Sequence, residues 1–156
     1  MRKNVKQQLA LRVLSTAALM AMVSSIATAA FADTYDLTKG SVDILAEGGK
    51  QYITQWEDKD NDTCVKDGEG KEIRDREDSD ITLTTKNEAT DKTETTSNTV
   101  TIDAKEDNTA NVTLENVHIE VNTTKAKSGA IEIKGDGDTN LELNGDNTVL
   151  VEKRVE

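Results

Sequence analysis

From residue 81 onward the apolar residues fall in short alternating pairs. These are Ile81-Thr82-Leu83, Val100-Thr101-Ile102, Val112-Thr113-Leu114, Val117-His118-Ile119, Ile131-Glu132-Ile133 and Leu141-Glu142-Leu143. Side chains that alternate at period two lie on one face of a β-strand, so each triplet reads as a strand with one buried side. The spacing of the triplets narrows the fold further. Ile81 and Val112 stand 31 residues apart, Val112 and Leu141 29, and Val100 and Ile131 again 31. Two strand tracks therefore recur at one period, the mark of stacked repeats. No amphipathic helix lies within the unit, which excludes ankyrin, tetratricopeptide and leucine-rich patterns. The expected fold is all-β: a parallel β-helix, or β-solenoid, in which one circuit of chain supplies two or three strands and the next circuit stacks on it.

Leu114-Glu115-Asn116-Val117 and the stretch from Leu143 to Val149 sit at equivalent places and read as strand, polar corner, strand, because Asn and Gly tolerate left-handed backbone angles. The segment 33–80 is less regular. Ser41–Ala46 and Gln51–Trp56 flank Glu47-Gly48-Gly49-Lys50, which predicts a β-hairpin that caps the open end of the repeats. Residues 57–80 and 84–98 read as charged or Thr-rich loops, the second a mobile excursion.

The first 32 residues read as targeting sequence. Arg2, Lys3, Lys6 and Arg12 precede an uncharged apolar run from Val13 to Ala30, and Ala30-Phe31-Ala32 places small residues at the −3 and −1 positions before Asp33. That is the layout of a secretory signal peptide cut near Ala32, with export to the medium or cell surface and no membrane span after cleavage. The division expected is thus 1–32 signal peptide, 33–80 cap region with an acidic loop, and 81–156 solenoid coils. All 30 acidic residues follow the cut while four of the 19 basic ones precede it. So acidic a surface repels phosphate and excludes nucleic acid as a partner. One cysteine excludes a disulfide-stapled scaffold.

The run Asn111–Glu120, then Ser128–Ile133, then Asp138–Val149 resembles secreted right-handed β-helix repeats of Gram-positive bacteria of the carbohydrate-binding domain-containing type. The opening Tyr35–Ile44 is similar to the segment that starts such domains. The resemblance covers roughly residues 33–150. It implies a right-handed parallel β-helix and extracellular polysaccharide as partner. The chain ends at 149–156, where another coil is expected, so it reads either as a truncated member or as a small one closed by its last strand.

His118 alternates outward on its strand and reads as a solvent-facing residue. Cys64 lies in a polar loop, free or paired between molecules. The acidic residues are too many for any one pair to mark a glycosidase. Lyases on β-helices use an Arg or Lys base beside calcium, and Arg74, Arg76 and Arg154 sit in no such motif, so no catalytic residue is assigned. Tyr52 and Trp56 share a strand face with Thr54 and are the candidate ligand-binding residues, as sugar-stacking plates or as a lid on the solenoid end.

A calcium site is expected in the loop 58–69. Asp58, Asp60 and Asp62 occupy positions 1, 3 and 5, and Glu69 occupies position 12, a spacing that converges alternate carboxylates on one cation. Thr63 stands where the turn wants Gly, and Lys66 is a cation beside the metal. The function expected is a non-catalytic secreted or cell-surface module presenting a binding or adhesive surface to extracellular polysaccharide. The alternatives are a purely structural surface module or fragment of a larger surface protein, and then a polysaccharide lyase or hydrolase.

Overall fold

Strands about thirty residues apart lie side by side and in parallel. The computed structural model describes residues 33–122 and 129–152, so the signal-peptide reading of 1–32 lies outside the described residues. Residues 31–156 form one compact unit. Among the described residues fifteen strands make it all-β, with a single 3₁₀ turn at Leu37–Lys39. Among the described residues no helix is long and apolar enough to cross a membrane.

The first sheet stacks β1 (Thr34–Asp36), β6 (Ile81–Thr84), β11 (Thr109–Glu115) and β14 (Asp138–Asn144), all parallel. Val112 lies opposite Ile81 on one side and Leu141 on the other, the register that the 31- and 29-residue spacings predict. A third parallel ladder joins β9 (Thr95–Thr96), β12 (His118–Asn122) and β15 (Thr148–Glu152).

The second sheet is mixed. Its parallel part is β2 (Ser41–Glu47), β10 (Val100–Ala104) and β13 (Ile131–Lys134). Onto the free edge of β2 an antiparallel set is added: β3 (Lys50–Asp58), then β4 (Thr63–Cys64) and β5 (Arg76–Glu77), both pairing with β3. The β2–β3 hairpin turns on Gly48 and Gly49 at φ 60° and 75°, angles that glycine adopts freely.

The ladders align the alternating residues into buried rows. Ile81 and Val112 form one row, Leu83 and Leu114 another, and Val42 with Val100 and Ile44 with Ile102 the next two. Tyr35 and Leu37 close the same core at its N-terminal end. Burying such side chains contributes about 1.5–3 kcal/mol each. Corners are carried by polar residues. Asn116 sits at φ 52° and its Oδ1 accepts the Asp146 N–H of the next corner at 3.1 Å.

Two loops expected to be irregular are structured. Residues 84–98 hold the β7–β8 hairpin (Lys86–Asn87 and Lys92–Thr93) and β9. Thr85 is buried; its hydroxyl donates to Asn116 O at 3.1 Å and accepts from the His118 N–H at 3.0 Å. A threonine thus makes the link that an apolar residue makes elsewhere. Cys64 is not in a polar loop but buried on β4, and burial pushes its thiol pKa up, so it is a poor nucleophile.

The rows separate two leucines of identical type. Leu114→Ala should cost about 2–5 kcal/mol of unfolding free energy in urea titrations, because its row continues on both sides. Leu143→Ala, on the exposed end of the same row, should cost under ~1 kcal/mol. Equal costs would contradict the row arrangement.

Candidate ligand-binding face

β3 has two different faces, and each has a use. Gln51, Ile53 and Gln55 point inward and are buried. The amide of Gln51 donates to Asp78 O at 3.1 Å and Asn111 O at 3.0 Å, while its oxygen accepts the Asn111 N–H at 2.6 Å. Gln55 donates to Asp36 O at 2.7 Å and Gly40 O at 3.3 Å. These glutamines pair backbone groups that would otherwise be buried without partners, a loss of about 1–3 kcal/mol each. Gly40 allows the approach, since a Cβ there would meet the Trp56 carbonyl at 2.0 Å.

Tyr52, Thr54 and Trp56 lie on the other side of β3, and the structure brings all three onto one face as their alternation predicts. Across the ladder Trp56 stands opposite Ser41, Thr54 opposite Asp43 and Tyr52 opposite Leu45. Tyr52 and Trp56 are each half-buried. The indole Nε1–H donates to Asp43 Oδ2 at 2.8 Å, which fixes the ring edge. Two cations lie over the ring: Arg74 at 5.2 Å from its centroid and Lys59 at 5.8 Å. Lys59 also pairs with Asp43.

Arg74 is anchored by Asp62 Oδ1 at 2.9 Å, Asp62 O at 2.9 Å and Glu72 Oε2 at 3.3 Å. Its hydrogen bonds to Asp62 and Glu72 hold its pKa further above the usual guanidinium range. The face is therefore an oriented aromatic plate with a carboxylate at its edge and guanidinium donors above it. Such a set can pack the apolar side of a sugar ring and bond its hydroxyls.

Behind this sheet a cleft of about 540 Å³ runs along the free edge of β1, lined by Tyr35, Lys39, Val65, Arg76 and Lys86 among others. Arg76 closes one wall by pairing with Asp67. Tyr35 is buried there and donates to Asp78 Oδ2 at 3.0 Å. Burial first, and then the Asp78 carboxylate, push the phenol pKa well up.

The carboxylates of the expected calcium loop lie in two successive turns, and two of them, Asp58 and Asp62, already accept hydrogen bonds within the chain. Asp58 ends β3, Asp60 and Asp62 sit in the turn to β4, and Glu69 belongs to the next turn, beyond β4. Thr63, where a binding loop turns on glycine, instead begins β4 opposite Asp58. Asp58 accepts from Asn61 Nδ2 at 2.6 Å and from the N–H groups of Asp60 and Asn61 at 3.1 and 3.2 Å. Those bonds, the Asn61 side chain foremost, lower its pKa. Asp62 is taken by Arg74, and the Glu69 N–H is bound by Asp67 Oδ1 at 3.0 Å. Among the described residues no group of three or more His, Cys, Asp or Glu side chains could hold a metal ion.

The sequence reading missed Arg74, Lys59 and the two glutamines, since nothing local in their stretches marks what they touch. His118 lies half-buried, its Nε2 at 3.7 Å from Asp146 Oδ2. Comparison with protein-family models, with curated proteins and with solved structures gives no match for this chain.

Tyr35 supplies an alkaline signature. Its folded pKa is raised above the unfolded value of about 10, so its contribution is full below that pH and is lost as pH rises further. Tyr35→Phe should lose about 1–2 kcal/mol at neutral pH, and its stability should fall less steeply above pH ~10 than that of the wild type. Parallel stability–pH curves for the two proteins would refute the role.

Proposed function

We propose that the chain is an exported, non-catalytic right-handed β-solenoid whose mixed-sheet face binds extracellular polysaccharide. In this reading β6, β9 and β10 are one circuit, β11, β12 and β13 the next, and β14 and β15 open a further one. The support is the register, in which the parallel ladders repeat at the same period as the sequence. The hairpin partner β3 then acts as the N-terminal cap.

Binding rests on one observation: Trp56, Tyr52, Leu45 and Asp43 share the outer side of a broad sheet, with the indole edge held by Asp43. Tyr52 and Trp56 are four residues apart on the strand, about 13.6 Å, so the two rings offer separate contacts to an extended chain of sugars. Lys59 is an exposed partner that yields at little cost. Arg74 stays over the ring and donates to hydroxyl groups.

Export is supported at the expected cut. The Asp33 N–H lies 3.3 Å from Asp78 Oδ2, so cleavage after Ala32 puts a new ammonium beside a buried carboxylate. Processed protein starting at Asp33 should therefore melt higher than the same chain acetylated at that nitrogen. Equal melting temperatures would count against that cut.

The binding test is calorimetry or a glycan array with neutral and acidic polysaccharides. Wild-type protein should bind at least one, and Trp56→Ala and Tyr52→Ala should each weaken it about tenfold, the loss expected of an aromatic contact worth ~1.4 kcal/mol. A panel without any binder, or binding indifferent to both changes, would overturn the reading.

A further inference from the structure

Among the described residues every exposed large apolar side chain lies on the last three strands. Leu143 is 62% exposed, Ile133 56%, Val151 52%, Leu150 50%, Val149 43% and Leu141 37%. Five of them continue buried rows. Leu141 and Leu143 follow Val112 and Leu114, Ile133 follows Ile102, and Val149 and Val151 follow Ile119 and Val121. Among the described residues the same three strands are sheet ends, so each also offers a strand edge. At the opposite end β3 covers β2, and the 3₁₀ turn lies against β9. Among the described residues one end is thus partly covered, β2 by β3 while β1 keeps a free edge, and the other is apolar along all three of its strands.

We infer that this end is the docking surface for a second copy of the chain, joined end to end about a two-fold axis through β14. The inference rests on the coil reading above. A chain that climbs one strand spacing, about 4.8 Å, per circuit ends in a ramp from β13 up through β14 to β15. Turned over, the same ramp fits itself: the low step β13 meets the high step β15 of the second copy, and β14 meets β14. All pairs are then antiparallel, so backbone groups on both sides find partners.

Side-chain chemistry selects the register. Centring β14 on Leu141 puts the two Leu141 side chains together and sets Asn140 opposite Glu142 of the other copy, twice. Centring it one residue further on would oppose Glu142 to itself, which repulsion disfavours. Opposite β13, Ile133 meets Val149 and Ile131 meets Val151, apolar against apolar. Glu132, Asp136, Asp138, Glu142 and Asp146 surround the end against Lys134, so the copies repel weakly and salt favours their union.

The test is sedimentation equilibrium of residues 31–156 at 0.05 and 0.5 M salt, which are round working values chosen about the physiological ionic strength. The wild type should be a dimer in the micromolar range, tighter at the higher salt. Leu143→Lys should be monomeric with an unchanged β-type circular dichroism spectrum, since that side chain is exposed in the monomer. Asn140→Lys places a cation opposite each Glu142 and should tighten the dimer about tenfold. Asn140→Lys/Glu142→Lys should undo that gain although it removes still more negative charge, because it opposes lysine to lysine; a merely less acidic surface would tighten again. A monomeric wild type, a dimer that survives Leu143→Lys, or further tightening in the double variant overturns the proposal. The coil reading is checked separately within one chain: in Thr82→Cys/Thr113→Cys, whose positions are register partners, dibromobimane should bridge the two thiols. A bridge with no dimer sinks the dimer alone, and no bridge sinks the coil reading with it.

Discussion

Parallel strands laid in register satisfy one another's backbone groups everywhere except at the two ends of the stack, where a row of donors and acceptors is left over. The N-terminal end answers this with β3. Its backbone pairs with β2 along seven positions from Ser41–Trp56 to Glu47–Lys50. Its inward glutamines then bind carbonyls that neither sheet can reach, at Asp36, Gly40, Asp78 and Asn111. A polar residue is the right choice there. An apolar side chain of the same length would cover those carbonyls without pairing them, and a buried unpaired carbonyl costs more than the contact returns.

The same strand gives the molecule its candidate surface. Because side chains alternate, placing Gln51, Ile53 and Gln55 against the core puts Tyr52, Thr54 and Trp56 on the opposite face, where Thr54 is covered by Asp75 and the two rings are half-buried. The cap and the face are therefore one object. Asp43 links them, as it pairs across the ladder with Thr54 and accepts the indole hydrogen. The connection from β4 to β5 brings Arg74 over the ring and Arg76 to the wall of the cleft. A segment that reads as solvated loop thus supplies the charged groups of both candidate features.

What the sequence made legible was the part governed by local period. The spacing of Ile81, Val112 and Leu141 carries the register of the first sheet, and the Gly48-Gly49 pair carries the hairpin. The third ladder was half hidden, because β9 is Thr95–Thr96 and presents no apolar residue to count. The antiparallel additions were hidden for another reason. β4 and β5 are two residues each, too short for alternation to register, and they hold to β3 by backbone pairing. At the site, the shared face of Tyr52 and Trp56 follows from alternation, whereas Arg74 reaches the indole from a separate strand connection. The carboxylate spacing at 58–69 does not say which oxygens the local turn already uses. Asp58 binds its own turn, and Asp62 binds Arg74.

Amide hydrogen exchange at submicromolar concentration, where separate copies stay apart, tests the closed end most directly. If β3 seals the stack, the amides of Asp43 and Thr54, which face each other across the hairpin because those of Val42 and Gln55 point away from it, exchange as slowly as those of Val100 and Ile102 in the interior of the same sheet. Those of Val149 and Val151 at the uncovered end exchange faster, because the Thr148 amide takes the β12 side and alternation turns theirs away from it. Exchange in β3 as rapid as in β15 would mean that the hairpin only rests against the stack, and the account of the cap and of the face it carries would fall.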